Sequence, residues 1–144
     1  MKSGTLLALG AIVVGACGDG TTPTDSGTST DTVIIPVAFS EVHMILAARC
    51  AFPGCHSGST APGGLDMATP ALAHLNLVNT EAAGPACGGM GARVIPGDAE
   101  GSIFYSKIAD PEPLCGSRMP LGGRALSADE VDLVRRWILS GAQR

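Results

Sequence analysis

The run Cys50-Ala-Phe-Pro-Gly-Cys55-His56 gathers two thiols and an imidazole in one short stretch. The common covalent attachment signal for haem is C-x-x-C-H: the thiols reach the two vinyl groups on the tetrapyrrole edge, and the following His turns its ring onto the iron. Here the spacing is C-x4-C-H, two residues longer. Pro53-Gly54 provides a turn that bulges the extra residues away and brings Cys55 back. On this reading Cys50 and Cys55 are the thioether donors to one covalent haem c, and His56 is an iron ligand. A zinc site is disfavoured, because no second compact Cys or His pair with ligand spacing follows. The irregular spacing leaves a haem-free reading open, in which Cys50 and Cys55 close their own disulfide and the chain is an exported binding module.

The other three cysteines are Cys17, Cys87 and Cys115. Residues 6–16 are apolar and uncharged, follow Lys2, and have the length of an export-signal core rather than a membrane span. They end in Val14-Gly15-Ala16-Cys17, which looks like the lipobox of a bacterial lipoprotein, with Cys17 as the lipidated residue. Residues 18–33 are Gly, Thr, Ser, Asp and Pro with almost nothing apolar, and read as a flexible tether. The expected organisation is a signal segment over 1–17, a linker over 18–33 and a domain over 34–144. The expected location is the periplasmic side or the cell surface, anchored to a bacterial membrane through lipid. In that oxidising setting Cys87 and Cys115, 28 positions apart and each followed by Gly, suit a disulfide that staples a long loop. A redox-active thiol pair is the alternative.

The elements that must position these groups are short helices. Ser40 is read as the N-cap of a first helix over 41–49 that runs into Cys50, with Phe39 and Met44 at hydrophobic-staple positions. Phe39, Val42 and Leu46 fall on one face. A second helix follows Pro70, and a third covers 102–109, with Ile103, Lys107 and Ile108 spaced for one side. The last is the clearest: Ser127-Ala-Asp-Glu130 is a capping box, Val131, Val134 and Ile138 form a stripe flanked by Trp137, and Gly141 stops it. Trp137 is expected on the first helix or at the haem edge. Asp98 and Glu100 read as caps to the third helix. No alternating strand and no internal repeat is evident, so the expected fold is mainly α with long loops.

Composition narrows the function. Of 144 residues 45% are apolar and only 15% charged, which favours collapse over a solvated polyelectrolyte. Only 3% are aromatic, so the core is short of large rings and a bound apolar group would fill it. The net charge is −4 with no basic run, which argues against nucleic acid as a partner. No nucleophile elbow, Walker-type loop or dinucleotide fingerprint is present.

Taken in order, the chain has a helix, C-x4-C-H-S-G, a Gly-Gly-Leu, Val-Ile-Pro-Gly-Asp, Ser-Ile-x-x-x-Lys-Ile, Cys-Gly-x-Arg-Met-Pro and a final helix ending Trp-Ile-x-x-Gly-Ala. Over residues 38–142 this resembles the small class I-like c-type cytochrome domains of exported bacterial lipoproteins, of planctomycete or myxobacterial type. The resemblance implies a cytochrome c-like fold of three to four short helices around one haem. It implies that Met119, in Gly116-Ser-Arg-Met119-Pro120, is the second axial ligand, with His74 in reserve. Arg118 beside it is a candidate partner for a haem propionate, or a solvated loop residue. Met67 and Met90 read as flexible-loop residues, and His43 as structural. The implied function is electron transfer between redox partner proteins rather than catalysis. A peroxidase-like or gas-binding haem ranks lower, since no distal His-Arg pair is recognisable.

Overall fold

The computed structural model describes residues 35–144. The signal segment, the linker and the lipidation expected at Cys17 lie outside the described residues. Among those described there are four α-helices and a short 3-10 turn: α1 (Phe39–Arg49), the turn (Pro62–Gly64), α2 (Pro70–Leu77), α3 (Ile103–Ala109) and α4 (Ala128–Leu139). Extended pairing is limited to isolated bridges, so the described part is mainly α with long loops. No helix in it is long and apolar enough to cross a membrane.

The start of α1 differs from the expectation. The helix begins at Phe39, Ala38 occupies the N-cap without a side-chain bond, and Ser40 lies inside the first turn. Met44 is 66% exposed, so the Phe39–Met44 staple does not form. The energetic reason is the ring. Burying a Phe stabilises by about 1.5–3 kcal/mol, against about 1 kcal/mol for a Ser cap. Phe39, Val42 and Leu46 share one stripe and all are buried.

That stripe meets α4. The Ser127 hydroxyl accepts from the Glu130 N–H, while the Glu130 carboxylate accepts from the Ser127 N–H at 2.7 Å, completing the capping box. Val134, Trp137 and Ile138 are fully buried and Val131 is half-buried. The Trp137 ring lies 5.0 Å from that of Phe39. Trp137 therefore joins α4 to α1, the first of its two expected placements. Gly141, at φ +100°, then turns the chain back across the packed rings. The Trp137 Nε1–H donates to the Gln143 carbonyl and His74 Nε2 donates to that of Ala142. His74 stands edge-on to Phe39 at 5.1 Å, so α2, α1 and α4 share one aromatic knot.

The third helix is positioned by the chain before it. Residues 78–82 run beside 91–94, joined by bonds such as Arg93 N–H to the Thr80 carbonyl at 2.8 Å. The first N–H groups of α3 then donate to the carbonyls of Ala92 and Arg93. Ser102, fully buried, accepts from the Ile95 N–H and donates to the Asp98 carbonyl. The Asp98 carboxylate accepts from Gly101 N–H, and Glu100 reaches Arg135 of α4 at 3.4 Å. Neither acid caps α3 as expected: its N-cap is Ser102 without a side-chain bond to the helix, Asp98 closes the turn before it, and Glu100 reaches across to α4.

Two substitutions test this packing. Ser127→Ala should lower the unfolding free energy by about 1 kcal/mol. Trp137→Ala should lower it by about 3–5 kcal/mol. Urea midpoints should shift accordingly with unchanged slope.

Candidate functional site

The C-terminal end of α1 delivers Cys50, whose N–H donates to the Leu46 carbonyl at 2.8 Å. The next residues leave the body. Phe52, Pro53 and Gly54 are all exposed, the Cys55 N–H donates to the Phe52 carbonyl, and Gly54 takes φ +82°. That positive φ suits glycine and lets the excursion reverse. The chain returns with the His56 N–H on the Cys50 carbonyl at 3.2 Å, so the imidazole comes back beside the first cysteine. The His56 carbonyl in turn accepts from the Met67 N–H at 2.8 Å.

These residues form one side of a cavity of about 320 Å³, a size within the usual range for small-molecule and cofactor pockets. Cys50, His56, Leu65 and Met67 line it from the α1 side. Ile103, Phe104, Lys107 and Ile108 of α3 line another face, residues 82–87 a third, and Met119 with Leu121 a fourth. The lining is largely apolar and contains no Asp or Glu. Leu121, 72% exposed, marks where the cavity reaches the surface.

The Met119 segment hangs on α3. The Met119 N–H donates to the Lys107 carbonyl at 2.8 Å, and the Lys107 ammonium donates to the carbonyls of Cys115 and Ser117. The Ser106 hydroxyl accepts from the Leu114 N–H. The Cys87–Cys115 disulfide, with Cα atoms 5.4 Å apart, ties this segment to the loop opposite. Cys87 is itself in the cavity wall.

Cys50, His56 and Met119 thus meet on one cavity. The remaining candidates do not join them. Cys55 is an exposed free thiol outside the lining, and the Cys50–Cys55 disulfide considered from the sequence is not formed. Arg118 is half-buried beside the site, outside its wall, with Nε lacking a hydrogen-bond partner. His74 is engaged with Phe39 and Ala142 in the aromatic knot. Met90 is exposed, whereas Met67 is only 1% exposed and belongs to the wall rather than to a flexible loop.

Two cations in the wall were not singled out as site residues from the sequence. Arg93 is only 7% exposed and donates to the carbonyls of Asn76 and Gly63. Lys107 is the second. The signal was present for both: Arg93 is a lone charge before Val94-Ile95, and Lys107 shares its helix side with Ile103 and Ile108.

The wall shifts the chemistry of its own groups. Burial is the main cause that pushes the Cys50 thiol up to about 11, only partly offset by Arg49. The His56 imidazole is held below its ordinary value, first by burial and then by the charges of Arg93 and Lys107, against an opposing pull from the Leu65 backbone. At neutral pH His56 is therefore neutral with a lone pair to offer, and its buried Nδ1 has no hydrogen-bond partner. A neutral imidazole and a thioether on one apolar cavity are a donor set that fits a haem iron. Among the described residues no group of three or more His, Cys, Asp or Glu could hold a metal ion by itself. The chain matches no family model, no curated protein and no solved structure.

Two measurements on ligand-free protein follow. Raising a thiol from 9.0 to about 11 leaves about a hundredfold less thiolate at neutral pH, so iodoacetamide should label Cys55 and spare Cys50 until the chain unfolds. Peptide mapping reads the difference. For His56 the folded state resists protonation, so unfolded chains bind the proton first. Its contribution is complete above the ordinary histidine value of 6.5 and declines as pH falls from there through the depressed folded value. Urea midpoints should drop on acidification in the wild type and drop less in His56→Gln.

Proposed function

We propose that this chain is a c-type cytochrome: an exported, lipid-anchored electron carrier that holds one haem c in the cavity between α1, α3 and the Met119 segment. The observation that carries this reading is the meeting of Cys50, His56 and Met119 on that one apolar cavity. The short supply of aromatic residues agrees with it, since a large flat apolar group would complete the core. The cytochrome c-like fold is part of the same proposal.

When bound, a haem supplies one-electron chemistry at iron, at a potential set by axial donors and burial. His56 offers a neutral imidazole, held so by its buried position. Met119 offers a soft thioether, and its backbone is fixed by the Lys107 carbonyl. Cys50 presents a protonated thiol on the wall, and Cys55 follows at the end of the exposed turn. Leu65, Met67, Ile103, Phe104 and Ile108 exclude water from the centre, and the opening by Leu121 gives an edge for exchange with a redox partner. With His56 and Met119 both holding the group, no open site would be left for substrate, which favours a carrier over a peroxidase. The linker and a lipid on Cys17 would keep the domain near a membrane while letting it swing between partners.

The test is expression in a host competent for c-type maturation, followed by mass spectrometry of the Cys50–His56 peptide. A haem increment and a Soret band are expected. Met119→Ala should abolish the near-infrared methionine–iron band and lower the reduction potential. Colourless protein with unmodified cysteines would overturn the proposal.

A further inference from the structure

Arg93 is the most deeply buried charge described, and no acid among the described residues pairs with it. The ion pairs among the described residues join Arg135 to Glu100 and Arg136 to Asp132, and Arg93 enters neither. Its two bonds go to neutral carbonyls, of Asn76 and Gly63. A guanidinium has five N–H donors, so capacity remains. Lys107 lies on the same wall, with its ammonium anchored on the Cys115 and Ser117 carbonyls. No carboxylate lines the cavity. An apolar chamber with two fixed cations and no counter-charge is costly on its own, because a buried charge needs a partner.

We propose that Arg93 and Lys107 form a carboxylate-binding subsite, so that the cavity selects a flat apolar ligand bearing acidic side arms. The inference rests on the functional reading for the ligand's identity, and places the carboxylate contact on Arg93 and Lys107 rather than on Arg118. The backbone around both cations is already set. The Arg93 carbonyl accepts from Phe104 in the first turn of α3, and the Lys107 carbonyl accepts from Met119. Lys107 therefore stands on the helix that also supports the thioether segment, and Arg93 on the extended segment that receives the first turn of that helix. The guanidinium can grip a carboxylate through paired N–H bonds, while the ammonium acts as a point charge.

The experiment uses the full chain made without haem attachment. It is titrated with iron protoporphyrin IX and with the dimethyl ester of the same compound, in one detergent, and followed by absorbance. The wild type should bind the diacid about tenfold or more tighter than the diester, the effect of a charge-assisted hydrogen bond. Lys107→Gln and Arg93→Gln should each bring the ratio of diacid to diester affinity toward one, while Arg93→Lys should retain part of the preference. Circular dichroism checks folding; should Arg93→Gln fail to fold, Lys107→Gln decides alone. Equal binding of diacid and diester by the wild type, or an unaltered ratio in Lys107→Gln, overturns the subsite and leaves the haem reading standing. Failure to bind either form also overturns the subsite, while the haem reading is decided by the mass of the Cys50–His56 peptide from the maturation host.

Discussion

The attachment of the Met119 segment to α3 is the constraint on which the site depends. A loop rich in Gly and Pro has no regular hydrogen-bond ladder of its own to hold a side chain in place. Here the Lys107 carbonyl accepts from the Met119 N–H and the Lys107 ammonium donates to the carbonyls of Cys115 and Ser117. One residue of a seven-residue helix thus fixes the loop from both its backbone and its side chain. The helix is fixed in turn by the carbonyls of Ala92 and Arg93 at its start and by packing on α4. The Cys87–Cys115 disulfide adds a covalent restraint at the other end of the same loop, closing 28 residues of separation. A crosslink of that kind typically contributes about 2–4 kcal/mol.

The electrostatics of the cavity follow from this scaffold. Cations reach the wall because the backbone carbonyls that hold them are themselves fixed by α2 and by the loop after Cys115. Their charges and the loss of water act together on His56, which stays neutral. The same burial keeps the Cys50 thiol protonated. The wall thus holds its two nitrogen and sulfur donors uncharged while carrying positive charge elsewhere. The proposed ligand, with a metal centre and acidic arms, would need both the uncharged donors and the positive charge.

The helices were legible in the sequence where side-chain patterning and capping agreed. At α4 the Ser127–Glu130 box and the Val134–Ile138 stripe point to the same residues, and both are realised. At α1 they conflict: Ser40 and Met44 suggest one start, the Phe39 ring another, and the ring prevails through burial on Trp137. Cys50, His56 and Met119 were legible because each sits in a recognisable local pattern. Arg93 and Lys107 were not picked out, because a lone charge among apolar neighbours signals burial without saying what the buried charge is for. Their importance comes from which carbonyls lie nearby and from the missing acids, both products of long-range folding. Met67 was misread for a related reason: its loop composition is polar and small, yet the His56 carbonyl and the His43 ring draw its backbone inward.

The excursion at Phe52, Pro53 and Gly54 carries a lesson about measuring by sequence. His56 touches Cys50 through a 3.2 Å hydrogen bond although the intervening chain is longer than the usual signal allows. Interval along the polypeptide is here a poor ruler for proximity. Any recogniser that counts residues, whether a pattern search or a processing enzyme, would pass this chain over. One that senses the folded arrangement would meet the imidazole beside the first cysteine all the same.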